Sequence, residues 1–384
     1  MRKIQINKLL SLFLITGFFI SAQTGVTISD SIKSNNIYRK YRLYVPAIYT
    51  GSTAVPLLFN LHGYTSNATQ QQAYGNFMPI ADTAKFIMVL PEGTAPSGSQ
   101  YFNAGFGPGA NDVLFMADLI DSLKLTYNID DNSIYSCGMS NGGIMSYYVA
   151  CSLPNRFAAV ASVTGSMLNN WFTCTPNRPF PVMEIHGTND ATVPYLGDVT
   201  FANTDTIVKK WYTFNNCNTT PTTINVPNTV TTDGATAINY KYGSGTNGAE
   251  VELYKVVNGA HTWPGAPIAI GITCMDFNAS VEIWRFFRKF KLNMFATALA
   301  ENRAEPEISI FPNPASDLLN IKLYENSIVD VKLFNMIGQE IKLKKNIGAD
   351  LIQVDLSELP KGIYFVDLYD QKASLIAVKK FSKI

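Results

Sequence analysis

Short apolar runs alternating with helix-period segments constrain this chain more than any other feature. Residues 55–61, 86–90, 133–137, 158–163 and 182–185 have the length of strands and are mostly apolar rather than alternating. Strands of that kind are buried on both faces. Between them, 111–125 places Val113, Phe115, Met116, Leu119, Ile120 and Leu123 at helical spacing, and 142–151 reads as another helix. Residues 68–84 read as one polar, Ala-rich helix, 204–214 as a further one, and 279–291 as an amphipathic helix closing the region. A hairpin of 25–31 and 37–45, joined through 34–36, leads the series, and 219–230, 237–242 and 251–257 are strand-like. Parallel neighbours need crossover connections, so the alternation predicts an α/β fold with a mostly parallel sheet covered on both faces.

The texture changes after Phe295. Residues 296–307 are small and charged and read as a linker. From 308 to 384 the chain is Cys-free, Lys-rich and alternating, with strands expected at 318–323, 329–335, 339–344, 351–356, 363–369 and 374–381, which predicts a small all-β sandwich. This tail resembles the type A C-terminal sorting domain of the type IX secretion system, through Phe311-Pro312-Asn313-Pro314-Ala315, Pro360-Lys361-Gly362-Ile363-Tyr364 and Lys379-Lys380-Phe381. The resemblance implies passage across an outer membrane with the secretion machinery as partner. At the other end, Arg2, Lys3 and Lys8 precede an apolar run over 9–20 and a small-residue stretch at 21–23. An apolar core of about a dozen residues is too short to span a bilayer and fits a cleaved signal peptide over 1–22. Together the two ends predict a secreted or surface protein without stable membrane insertion.

Composition excludes other classes. Lys+Arg 30 against Asp+Glu 29 gives a net charge of +1, so no basic face for nucleic acid is implied. Hydrophobic residues at 47% and charged residues at 15% can build a full core. Export gives meaning to Cys137, Cys151, Cys174, Cys217 and Cys274. Proximity along the chain pairs Cys151 with Cys174 and Cys217 with Cys274, leaving Cys137 free inside a strand. No CxxC or Cys/His clustering indicates a zinc site, and a monomer is expected.

Gly138-Met139-Ser140-Asn141-Gly142 fits G-x-S-x-G between a buried strand and a helix. That context makes a tight turn presenting Ser140 Oγ at the top of the sheet, above a helix N-terminus that favours developing negative charge. A serine hydroxyl needs a base, and the chain has three histidines. With the acid and then the base following the nucleophile in the chain, His62 precedes Ser140 and His186 leaves little room for an acid. His261, in the loop after 251–257, is the base by elimination and position. Asp190 hangs from the end of 182–185 and is the acid; Glu184 lies within a strand, and Asp198, Asp205 and Asp233 follow no buried strand. Backbone N–H groups of Asn141 and Tyr64 are the expected oxyanion hole, with His62 bracing the second loop. Tyr101, Phe102, Tyr195 and Trp263, with Tyr64, are candidates for an aromatic substrate wall.

Taken with Leu61-His62-Gly63, His186-Gly187-Thr188-Asn189-Asp190, Val193-Pro194-Tyr195 and Gly259-Ala260-His261-Thr262-Trp263-Pro264-Gly265, roughly residues 25 to 290, within an expected domain of 23–295, resemble the secreted α/β-hydrolase esterases that include poly(3-hydroxybutyrate) depolymerases and feruloyl and acetylxylan esterases, in carbohydrate esterase family one. The resemblance implies an α/β-hydrolase domain with Ser140 as nucleophile, Asp190 as acid and His261 as base, and an acyl-enzyme route without cofactor. The sequence departs from the family's pattern at Tyr64, where relatives often carry Cys, and at Phe102-Asn103, where they often carry Trp-Asn. The expected function is ester hydrolysis on feruloylated or acetylated cell-wall polysaccharide. Polyester depolymerisation is the alternative, and a catalytically dead binding module the remote one. Because His261 must be neutral to accept a proton, activity should fall on acidification.

Overall fold

A computed structural model describes residues 25–295 except 97, and residues 309–384 except 323–329, 336–338, 343, 348–350 and 370–374. The expected signal peptide over 1–22 and the linker over 296–307 lie outside the described residues. The chain divides between Ala296 and Thr297 into two compact units.

The first unit is built on one ten-stranded sheet. In chain order its strands are β1 (Val26–Ser34), β2 (Ile37–Val45), β3 (Val55–Leu61), β4 (Ile87–Pro91), β5 (Ile129–Met139), β6 (Ala159–Val163), β7 (Val182–Gly187), β8 (Thr222–Asn225), β9 (Thr236–Tyr242) and β10 (Val251–Val257). Their spatial order is β1-β2-β4-β3-β5-β6-β7-β10-β9-β8. The run from β4 to β10 pairs in parallel, and the two ends are antiparallel. The helices are α1 (Ala68–Tyr74), α2 (Met78–Ala84), α3 (Asp112–Lys124), α4 (Asn141–Ser152), α5 (Thr204–Phe214) and α6 (Ala279–Phe287).

The pleat decides which helix each strand residue meets. Leu57, Phe59 and Leu61 of β3 face a core shared with Phe115, Leu119, Met145 and Trp211 of α3, α4 and α5. Leu58 points the other way, into a core with Ala81, Ile283, Phe286 and Phe287 of α2 and α6. Each fully buried side chain of this size contributes about 1.5–3 kcal/mol. The α/β expectation therefore holds, with both faces of the central sheet covered.

Local differences have local causes. The single helix expected over 68–84 is two. Gly75 ends α1, its N–H bonding the Gln71 carbonyl, and Pro79 opens α2, where its missing N–H costs nothing. The β1–β2 connection is shorter than expected, with Asn35 and Asn36 both left-handed, as a two-residue hairpin requires. The strand expected over 219–230 is only Thr222–Asn225; Pro227 interrupts the remainder of that run.

The expected Cys151–Cys174 disulfide is present. The Cys217–Cys274 pairing is not: both are free and buried, Cys217 in the core under α3, α4 and α5 and Cys274 in the core under α2 and α6. The sheet lies between them, which closeness along the chain could not reveal. Cys137 is free in β5, where burial pushes its thiol well up.

The second unit holds β11 (Ser309–Phe311), β12 (Leu318–Lys322), β13 (Asp330–Asn335), β14 (Glu340–Ile341), β15 (Lys345–Ile347), β16 (Leu351–Asp355), β17 (Gly362–Tyr369) and β18 (Leu375–Lys383). They form two antiparallel four-stranded sheets, β11-β12-β16-β15 and β14-β13-β17-β18. Alternate residues such as Leu319, Ile321, Leu333, Val354 and Val366 share one core, as the alternating pattern required. Among the described residues of the whole chain, no helix is long and apolar enough to cross a membrane.

Candidate active site

β5 runs straight into Ser140, and α4 starts on the next residue. Ser140 has φ 55° and ψ −119°, a conformation a non-glycine residue adopts only when its surroundings enforce it. The enforcement is visible on both sides. The Ser140 N–H donates to the Val163 carbonyl at the end of β6, and the Ser140 carbonyl accepts from Ile144 N–H in the first turn of α4. The flanking glycines serve close approach. A Cβ on Gly138 would lie 2.6 Å from the Leu61 carbonyl oxygen, and one on Gly142 only 2.2 Å from it. Gly142→Ala must therefore push β3 and the loop after it away from the elbow. The expected cost is about 1–3 kcal/mol, a melting temperature lower by roughly 2–6 °C for a domain of this size. A melting curve matching the wild type would show that the close approach is not needed.

Asp190 and His261 meet although they are far apart in the chain. His261 Nδ1 and Asp190 Oδ2 are 2.7 Å apart, and Asp190 Oδ1 accepts from the N–H groups of Thr192 and Val193 at 2.8 and 2.9 Å. Their loops are stitched together by Thr188 N–H to the Val256 carbonyl and Asn189 N–H to the Gly259 carbonyl. Gly187 permits this, because a Cβ there would sit 2.2 Å from Gly259 O. Burial pushes the Asp190 carboxyl up, but the His261 hydrogen bond and charge, the Val193 N–H and nearby His186 outweigh it and hold it below the usual carboxylate range. With Nδ1 donating to Asp190, His261 keeps Nε2 as its accepting nitrogen.

His62 is fully buried. Its Nδ1 donates to the Gly63 carbonyl at 2.7 Å and its Nε2 accepts from Gly93 N–H at 3.0 Å. Burial drives its pKa down to about 4, so the ring is a neutral brace for the loop that carries Tyr64. That loop abuts the candidate nucleophile: a Cβ on Gly63 would be 3.4 Å from Ser140 Cβ and 4.0 Å from its Oγ. The Asn141 N–H heads α4, where no preceding helical carbonyl can take it.

Ser140 and His261 line one cavity of about 470 Å³ with Gly63, Tyr64, Ser66, Gln70, Tyr74, Met139, Ile268 and Ile270. Among the described residues no hydrogen bond joins the serine to the imidazole, an open spacing common in hydrolases without substrate. No lining side chain is a carboxylate, a lysine or an arginine.

Of the expected aromatic wall, only Tyr64 lines this cavity. Phe102 is wholly buried, its ring 4.6 Å from His62 and its backbone clamped by the Asn141 side chain through bonds of 2.7 and 3.0 Å. Tyr195 is buried too, its hydroxyl donating to Asp205 at 2.6 Å. Trp263 is buried against Phe77 and donates from Nε1 to Ser280. Tyr101 is half-buried, its ring 6.0 Å from that of Tyr64. Aromatic rings near a motif serve packing as readily as binding, and here packing takes three of the four. The actual walls are Tyr74 on α1 and the exposed Ile268 and Ile270. Ile268-Ala269-Ile270, an apolar pair in a loop just after His261, was the available clue.

Away from the cavity, Asp233, Cys274 and Asp276 bring one ligand atom each within 4.8 Å of one another. Their carboxylates already cap backbone N–H groups, Asp233 those of Ala235 and Met275, Asp276 those of Thr229 and Val230. The cluster thus has a structural use as a clasp between two loops.

Residues 110–223 match the family model described as phospholipase/carboxylesterase, and residues 309–383 match the secretion system C-terminal sorting domain. Feruloyl esterase B of Piromyces equi is 30% identical over 196 residues, covering 48% of this chain and 37% of that protein. Poly(3-hydroxyalkanoate) depolymerase C of Paucimonas lemoignei is 27% identical over 245 residues, covering 55% of this chain and 56% of that one. The chain thus spans about a third to a half of the length of these relatives. Among solved structures, an acetyl xylan esterase from Aspergillus awamori is similar with TM-score 0.48 and 15% identity, covering 62% of this chain and 94% of the other.

Proposed function

We propose that this chain, a phospholipase/carboxylesterase-type domain followed by a secretion sorting domain, is an exported serine hydrolase of carboxylic esters. One observation carries the reading: a backbone-strained Ser140 opens into the same cavity as a His261 held in one tautomer by buried Asp190. In the reaction, Ser140 Oγ attacks the ester carbonyl carbon while its proton passes to His261 Nε2. The tetrahedral oxyanion takes the N–H groups of Tyr64 and Asn141, each donor supplying about 2.7–4 kcal/mol. His261 then protonates the departing alcohol, leaving an acyl-Ser140 ester. Water, deprotonated by the same imidazole, releases the acid and restores the serine. Asp190 stabilises the transient imidazolium without taking its proton. The residues supply every step, so no cofactor is needed.

The substrate we favour is the acyl group of feruloylated or acetylated cell-wall polysaccharide. A cavity walled by Tyr64, Tyr74, Met139, Ile268 and Ile270, with no carboxylate, lysine or arginine in its lining, suits a neutral acyl group with an apolar or aromatic body. The exposure of Ile268 (67%) and Ile270 (58%) also favours a second reading, an apolar polyester chain lying across the mouth. Turnover of methyl ferulate, acetylated xylan and a hydroxybutyrate trimer by the full-length protein separates the two. Ferulate or acetate release supports the first reading, and trimer cleavage with silence on the others supports the second. Ile270→Asp, which puts a carboxylate in the wall, should lower kcat/KM for the preferred apolar ester about tenfold or more. An unchanged value would remove Ile270 from the binding surface.

For export, we take 1–22 as a cleaved signal peptide and 308–384 as the address read by type IX secretion machinery, with the hydrolase domain at 23–295 folding as a monomer and 296–307 as linker. The match of 309–383 to a secretion sorting domain supports the C-terminal part of this reading.

A further inference from the structure

Behind Asp190 lies a second histidine that the reaction above does not use. His186 is buried, and both of its ring nitrogens face acceptors. Nδ1 is 2.8 Å from Glu184 Oε1, and Nε2 is 2.9 Å from the Val193 carbonyl oxygen. The same Nε2 is 3.5 Å from Asp190 Oδ2, the oxygen that pairs with His261. The other Glu184 oxygen accepts from Tyr147 of α4 at 2.8 Å. A ring facing a carbonyl on one side must carry its proton on that side; facing a carboxylate on the other, it is most stable carrying both.

The alternative is a neutral pair with the proton on Glu184. It would leave Asp190 facing a neutral ring in a buried site, and the second carboxylate tips the proton onto His186. Burial alone would push His186 down and does push Glu184 up, but the hydrogen bond and charge of Glu184, the Val193 carbonyl and Asp190 turn His186 upward, while the His186 and Tyr147 hydrogen bonds oppose the rise of Glu184. The other groups around the ring do not reverse this. Ser162 of β6 is opposite Glu184 in register, and Tyr195 presents its ring edge-to-face at 5.7 Å. Lys255 of β10 is opposite His186 in register, with its ammonium over the Tyr195 ring at 4.8 Å, and the Tyr195 hydroxyl donates to Asp205 of α5.

We propose that His186 is a positioning residue: a buried imidazolium, balanced by Glu184, that holds Asp190 ionised and sets the pH below which His261 ceases to act as base. The second half of this statement rests on the hydrolase reading; the first does not. A cation beside Asp190 partly neutralises its field at His261. Removing that cation strengthens the field, favours protonated His261, and so moves the acid limb of the rate profile to higher pH.

The test uses the full-length ¹⁵N-labelled protein, whose three histidines make ring assignment direct. At pH 8 one imidazole should carry protons on both nitrogens, and its resonances should vanish in His186→Gln. That variant strands the Glu184 charge, so the double variant Glu184→Gln/His186→Gln removes both charges together. In either folded variant the acid limb of kcat/KM should move up by about half a unit to one unit. Three neutral rings at pH 8, or a folded double variant with an unmoved acid limb, overturns the proposal. A uniform loss of rate with no change in profile overturns it too, since packing alone would do that. An imidazolium found in a protein without ester turnover would support the charge assignment and sink the hydrolase reading instead.

Discussion

Ser140→Ala should leave a folded protein whose ester turnover is lower by about 10⁴- to 10⁶-fold. The structure makes this a clean experiment. The strain at Ser140 lies in the backbone, where φ is 55°, and is held by Val163 and Ile144 rather than by the hydroxyl. Alanine keeps that backbone, so thermal stability should stay within about 0.5 kcal/mol of the wild type or rise slightly. On the proposed mechanism, the activity left after the loss of the nucleophile would come from binding plus the N–H groups of Tyr64 and Asn141, which would still polarise a bound ester for water attack. The readouts are kcat on the best substrate of the panel, a melting curve, and covalent labelling by a fluorophosphonate, which should mark the wild type and spare the variant. Turnover equal to wild type would sink the assignment of all three residues at once, and no labelling of folded wild type would favour the dead-scaffold alternative.

The framework behind that prediction was legible in the sequence for stated reasons. Continuous apolar strands alternating with helices leave few topologies other than a parallel sheet, and the elements expected over 204–214 and 251–257 match to the residue. The elbow was legible because its glycines answer a steric demand, the approach of Leu61 to Gly138 and Gly142. The walls of the cavity were not legible, because sequence shows that Phe102 and Trp263 are aromatic but not which way they face. Chain order and strand position set His186 and Glu184 aside, a reason that the pleat undoes. Residues two apart on a strand share a face, so a carboxylate and an imidazole at 184 and 186 point together, and β7 runs far enough to aim them at Asp190. The charged network was present in the local spacing and needed only the strand's true end.

Asp190→Asn should cost about 10⁴ in kcat while keeping the loop. Asparagine retains an oxygen for Thr192 and Val193, so its amide nitrogen must occupy the place of Oδ2. There it presents N–H to His261 Nδ1, which can then only accept. The ring proton moves to Nε2, the nitrogen that has to receive the serine proton, and the base is lost although every atom is near its place. The same amide also meets the Nε2–H of His186 across a gap that is now 3.5 Å. Two donors facing one another in a buried site add a stability loss of about 1–3 kcal/mol that Ser140→Ala does not share. The melting temperature therefore separates the two variants even where both are inactive. In kinetics they should not add: Ser140→Ala/Asp190→Asn should turn over no more slowly than Ser140→Ala, because Asp190 acts only through a base that has no serine left to serve. A double variant slower by a further factor of about 10⁴ would mean that Asp190 contributes outside the relay. A single Asp190→Asn within about tenfold of wild type would move the acid's role elsewhere, with Glu184 acting through His186 the first place to look.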